Sequence, residues 1–152
     1  MLTMTRDFSL SIKTILGYEQ ALELLRQALQ REKFRILAEV PFHRELEKDV
    51  GMSLANYTVL VVWSSFHAYR ALLSDRDGGL LIPFNLLVAE HENGTIIAAT
   101  NHMLFGRVSG GIRVQALARD LNHQMRQIFT QIAAQEAPPD SGSWDERRRE
   151  AL

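Results

Sequence analysis

Cysteine is absent from the 152 residues of this chain. Its absence excludes disulfide bridges, thiol-based catalysis, iron–sulfur clusters and zinc sites with cysteine ligands. An excess of one charge is lacking as well, because 17 Lys and Arg residues stand against 18 Asp and Glu residues, for a formal net charge of -1. Such a balance provides no electrostatic attraction to nucleic acid or to an anionic membrane. We therefore expect neither as a partner.

Long hydrophobic runs are missing too. The longest purely apolar stretch covers residues 59–63, whereas a membrane-spanning helix needs roughly 18 apolar residues or more. The chain also reaches Arg6 and Asp7 before an apolar run can build up, so no secretory leader is expected. These observations predict a cytoplasmic protein.

The length and the hydrophobic fraction of 46% are those of one ordinary globular domain. We expect that domain to cover residues 7–135. The composition then becomes polar and rich in helix breakers, which predicts a flexible C-terminal tail over residues 136–152.

Hydrophobic periodicity predicts the secondary structure. Apolar residues recur every three or four positions over 18–32 and 112–133, which indicates two main amphipathic helices. Strands are expected over 8–13, 34–40, 57–63, 80–90 and 95–100, and short helices over 42–50 and 66–74. The order strand, helix, four strands, helix favours an α+β fold, with an antiparallel sheet of about five strands and the two main helices on one face.

Asn93-Gly94 is the strongest hairpin signal in the chain. If these two residues form the turn, Asn85 lies opposite His102 on the neighbouring strand, close enough for their side chains to interact. Such a pair has two interpretations. It could hold the polar group of a small ligand, or it could form a cross-strand hydrogen bond with a purely structural role.

Several short motifs follow one another in a specific order: Lys33-Phe34 after a helix, Val50-Gly51 after a short one, Tyr57 at a strand start, Ala68 to Leu72 in a short helix, and Leu80 to Asn85 in a strand. Over residues 8–105 this order resembles the family called domain of unknown function 302. The resemblance implies a small α+β domain that commonly associates with itself and has no established reaction.

One segment departs from that family pattern. Many relatives have an Asn-Pro pair, often preceded by cysteine, where this chain has Ser64, Ser65, Phe66 and His67. A thiol-based role therefore does not transfer to this chain. His67 lies where a strand passes into a helix, and a single neutral histidine can serve as a haem ligand; the alternative is an imidazole that is satisfied by the backbone.

Three functions follow from these residues. The first is a non-enzymatic homodimer that binds a small ligand between sheet and helices or at the subunit interface. His67, Asn85 and His102 are its candidate binding residues, and no catalytic residue is assigned. The sheet needs cover on its open face, which favours self-association. The second is a haem- or metal-binding protein that uses His67 or His102 as its single histidine ligand. The third is a small hydrolase or isomerase with Asn85 and His102 in its site.

Overall fold

A six-stranded antiparallel sheet lies at the centre of the computed structural model, which describes residues 3–109 and 111–136. Its strands are β1 (Met4–Thr5), β2 (Ser9–Thr14), β3 (Arg35–Pro41), β4 (Tyr57–Trp63), β5 (Phe84–His91) and β6 (Gly94–Thr100). Their spatial order is β1-β2-β6-β5-β4-β3. The short β1 accounts for the sixth strand, where about five were expected. Beyond Glu136, the predicted tail lies outside the described residues.

Within the described ranges, five α-helices accompany the sheet: α1 (Tyr18–Arg31), α2 (Phe42–Val50), α3 (Ser65–Ser74), α4 (Met103–Ser109) and α5 (Ile112–Ala133). The two long helices, α1 and α5, contact each other and the same face of the sheet, so the predicted α+β arrangement is confirmed. Across the described part of the chain, no helix combines the length and the apolar character that crossing a membrane requires.

The core lies between this helical layer and the sheet. From α1 come Leu25 and Leu29, which are fully buried, and they meet Leu60 and Leu86 of the central strands. The central strands β4 and β5 alternate buried residues with more exposed ones, as in a sheet with one covered face. Burial of this apolar surface is the main free-energy gain that holds the two layers together.

The hairpin between β5 and β6 turns at Glu92 and Asn93, because His91 pairs with Gly94 in the ladder. Gly94 approaches the backbone of Thr14 at the end of β2 so closely that a Cβ atom would collide with the Thr14 carbonyl group. The glycine is therefore required for the close approach of a neighbouring strand, and not for the turn. The predicted turn at Asn93-Gly94 is wrong.

The strand predicted over 80–90 begins later, at Phe84. Proline has no backbone N–H to donate to a sheet ladder, and Pro83 stands immediately before the first paired residue. The segment Arg76–Leu80 forms a 3-10 turn instead.

Candidate functional site

At the start of α3, the side chain of a serine contacts the side chain of a histidine. Ser64 is the N-cap of the helix, and its Oγ accepts a hydrogen bond from the backbone N–H of His67 at 3.3 Å. The same oxygen lies 2.7 Å from Nδ1 of the His67 ring. When the hydroxyl donates to Nδ1, the proton of the neutral ring resides on Nε2. Ser64 therefore fixes both the helix start and the orientation of the imidazole.

The His67 ring is held by aromatic neighbours. Its side chain is 5% exposed; it stacks on Phe34 with ring centroids 5.6 Å apart and meets Phe66 edge-on at 5.4 Å. Burial lowers the pKa of His67, and the positive charge of Arg70 lowers it further. The ring is accordingly neutral around pH 7.

Next to this ring is a cleft of about 600 Å³, which we call the His67 cleft. Its lining comes from the turn between α1 and β3, the end of β4, the start of α3, and α5: Glu32, Lys33, Arg35, Trp63, Ser64, Ser65, Phe66, His67 and Gln124. Gln124 lies beside the His67 ring and raises its pKa as a hydrogen-bond partner, which opposes the effect of burial. Its Oε1 is buried and makes no other hydrogen bond within the described ranges.

A second histidine, His102, is buried more deeply, with 1% of its side chain exposed. Its ring meets Phe84 edge-on at 4.7 Å. Burial lowers the pKa of His102 to about 4; hydrogen bonding to Asn122 and to the backbone of Thr100 opposes this effect, and the charge of His67 adds to it. The structure therefore brings these two candidates into one region of the core.

A network of buried amides lies beside His102. The backbone N–H of His102 donates to Oδ1 of Asn122 at 2.9 Å, and Nδ2 of Asn122 donates to Oδ1 of Asn101 at 2.8 Å. Asn101 in turn donates to the backbone carbonyl groups of Arg6 and Asp7. The network links α5 to the end of β6 and to the loop before β2.

Asn85 lies on the other side of the sheet, and its predicted pairing with His102 is wrong. It pairs with Val61 of β4, its carbonyl accepts a hydrogen bond from the hydroxyl of Thr100, and its side chain is exposed. The turn lies one residue earlier than predicted, which shifts the register by two positions. Because β6 ends at Thr100, the chain has already left the sheet when it reaches His102.

Of the three candidate binding residues, His67 lines the cleft, His102 lies in the core and Asn85 belongs to the opposite sheet face. Lys33, Arg35 and Gln124 also line the cleft, but no sequence motif singled them out for this role. Within the described residues, no group of three or more His, Asp or Glu side chains is arranged to hold a metal ion. No observation here favours the haem or metal hypothesis.

Comparison with known proteins finds one family. The model of "Domain of unknown function DUF302" matches residues 9–132. Among solved structures, the chain is similar to an uncharacterized conserved DUF302 protein from Bacillus stearothermophilus, with a TM-score of 0.74 and 19% identity over 80% of this chain and 94% of that one. At this identity the likeness shows the fold alone. No curated protein matches the chain.

Proposed function

This chain belongs to the DUF302 family, and we propose that it is a non-enzymatic, homodimeric protein of the cytoplasm that binds a small ligand in the His67 cleft. The observation that carries the proposal is the cleft itself, about 600 Å³ beside the buried ring of His67. Two cationic side chains of its lining, Lys33 and Arg35, form no ion pair with any residue that the structure describes. A few free polar groups at the wall of a cleft are typical of a ligand site.

The composition of the cleft supports binding of a small molecule. It combines aromatic side chains, Trp63 and Phe66, with a few polar groups that converge from three elements. Ligand sites typically have this mixture, in which apolar walls provide affinity and a few polar atoms fix orientation. Its volume of about 600 Å³ is within the ordinary range for such sites.

The chemistry of the cleft favours binding over catalysis. The hydroxyl of Ser64 is engaged as a helix cap, and it contacts Nδ1 of His67 from the same turn of the helix. A nucleophile needs a base that takes its proton and a third group that orients the base. Ser64 and His67 are instead explained by the geometry of the helix start.

Ligand binding can be tested with three small aromatic probes of one size and different charge: benzamide, benzoate and benzylamine. A molecule this small is expected to bind with a Kd on the order of 1 mM. At least one probe should shift the NMR signals of the His67 ring with a saturable curve, while the signals of the exposed His123 stay in place. If none of the three gives saturable shifts up to about 10 mM, the proposed ligand site is contradicted.

Gln124→Leu provides the matched variant for this test. Because it removes the amide of Gln124 from the wall of the cleft, it should weaken binding of benzamide, which can exchange hydrogen bonds with that amide. Gln127→Leu, an exposed position on the same helix, is the control and should bind the probe like the wild type. If both variants bind the probe equally well, Gln124 does not contact the ligand.

A second copy of the chain is the proposed cover of the open sheet face, the face opposite α1 and α5. Uncharged residues form its centre: Val59 and Val61 of β4, Leu87 and Ala89 of β5, and Ala98 of β6. Phe8 and Phe42, which are 69% and 38% exposed, flank a shallow groove of about 200 Å³ on it. Two copies can face each other there without bringing like charges together, as a twofold interface requires.

The edges of the sheet favour this face over edge-to-edge association. The edge strand β3 has a register shift between Ile36 and Ala38 and ends in Pro41, and the other edge, β1, is two residues long. Bulges, prolines and short strands are ordinary protections of a sheet edge. Taken as a flat surface, the face of the five longer strands has an area on the order of 500 Å². This area is comparable with the ~800 Å² per partner of a standard interface.

Sedimentation velocity tests the dimer. The wild-type chain should sediment at twice the mass of one chain at about 100 μM, where a micromolar Kd leaves the dimer dominant. Leu87→Lys, which places a charge in the centre of the open face, should give a monomer. The control Leu80→Lys changes a residue that is 81% exposed and outside this face, and it should remain a dimer. A monomeric wild type would contradict this part of the proposal.

A further inference from the structure

Lys33 has an unusual backbone conformation at the edge of the His67 cleft. Its φ angle is +63°, in the left-handed region that disfavours residues with a Cβ atom. Its N–H bonds to the carbonyl of Gln30 at 3.0 Å, and the N–H of Phe34 bonds to the carbonyl of Leu29 at 2.9 Å. This is the helix ending whose left-handed position is usually glycine. A lysine is therefore conformationally unfavourable at this position.

Such strain, where it persists, points to a role for the side chain. The backbone alone would be better served by glycine, and Lys33 lines the cleft. Its ammonium makes no ion pair or side-chain hydrogen bond with any other residue that the structure describes. The same holds for the guanidinium of Arg35, which also lines the cleft.

The charges around the cleft indicate what they would bind. Lys33 and Arg35 bring two positive charges, and Glu32 brings one negative charge that accepts a hydrogen bond from Gln131 at 3.3 Å. The sum is one positive charge, which an anion with a single negative charge neutralises. The N-terminal end of α3, which also borders the cleft, adds a partial positive charge.

We infer that the His67 cleft binds a small monocarboxylate with an apolar body, and that the side chain of Lys33 pairs with its negative charge. This inference rests on the proposed ligand site and names the class of its ligand. The apolar body lies against Trp63 and Phe66. Glycine would suit the backbone better at position 33, but only a cationic side chain can pair with the carboxylate.

The test separates the backbone effect of Lys33 from the effect of its charge. Lys33→Gly should unfold at the same or a higher denaturant concentration than the wild type, because the left-handed strain is removed. It should nevertheless bind benzoate about tenfold more weakly, the ratio expected when one charged contact is lost. Lys33→Asn, which also tolerates a left-handed backbone, should weaken binding equally, and Lys33→Arg should retain it.

Glu92 offers a matched control, since it is the other non-glycine residue with a positive φ among those described, at +46° in the hairpin turn. Glu92→Gly removes comparable backbone strain and should bind benzoate like the wild type. Bound benzoate should also raise the pKa of His67 in NMR titrations, because a neighbouring negative charge favours the protonated ring.

The outcomes distinguish this inference from the proposed function. If benzamide binds as well as benzoate, or if Lys33→Gly retains benzoate affinity, the inference about charge is overturned while the ligand site stands. Inorganic phosphate that competes as strongly as benzoate would overturn the carboxylate class. If none of the three aromatic probes binds, the ligand site itself fails.

Discussion

Asn122→Ala is expected to lower the free energy of unfolding by about 2–4 kcal/mol. The side chain of Asn122 is 2% exposed and accepts from the backbone N–H of His102 while it donates to Oδ1 of Asn101. Its removal leaves the buried backbone N–H of His102 without an acceptor, at about 1–3 kcal/mol, whereas Oδ1 of Asn101 still accepts from the backbone N–H of Met103. The cavity left by the shortened side chain adds to this loss.

Urea unfolding of the purified variant measures the effect directly. Gln127→Ala serves as the control, because Gln127 is an exposed amide on the same helix, and it should change the free energy of unfolding by no more than about 0.5 kcal/mol. A loss below about 1 kcal/mol in Asn122→Ala would mean that water satisfies the exposed partners and that the network contributes little.

The elements with strong local patterns could be predicted from the sequence. The long helix Ile112–Ala133 matches its prediction because its apolar residues recur over many turns. The helix α1 and the alternating strand β2 were predicted for the same reason. By contrast, β1 and α4 are short, and their formation depends on neighbours that the sequence pattern does not reveal.

The error at the hairpin has a specific physical cause. Asn-Gly is the preferred pair in a two-residue turn because both residues tolerate a positive φ. Here Gly94 is needed in the strand, because a Cβ atom at this position would collide with the Thr14 carbonyl. In the turn, Glu92 adopts the positive φ instead. A contact between distant strands therefore overrides a local signal, and with it the predicted pairing of Asn85 and His102.

The site could be predicted only where one residue stood out. His67 was found because it occupies a departure from the family pattern at a strand-to-helix junction. Its neighbour Gln124 is one of several glutamines on α5, and only the packing of α5 against α3 makes it special. The positive φ of Lys33 is likewise a property of the folded chain and has no signature in composition or spacing.

Acidification from about pH 7 to about pH 4.5 is expected to lower the free energy of unfolding by about 2–3 kcal/mol through His102. Burial lowers the pKa of His102 from its ordinary value of 6.5 to about 4 in the folded protein. Above pH 6.5 the ring is neutral in both states, and stability is complete. As the pH falls, His102 binds a proton in the unfolded chain but not in the folded one. The free energy of unfolding therefore decreases until the pH reaches about 4.

His67 should contribute in the same direction, since burial and Arg70 lower its pKa as well. The pKa of Glu39, which Arg26 lowers, matters only as the pH approaches the ordinary carboxyl range, so urea unfolding at several pH values down to 4.5 reports mainly the histidines. His102→Leu should remove most of the slope, and His123→Gln, an exposed histidine on α5, should keep it. A wild type whose stability is flat over this interval, or a His102→Leu variant with the full slope, would show that His102 accepts its proton in the folded state at an ordinary pH.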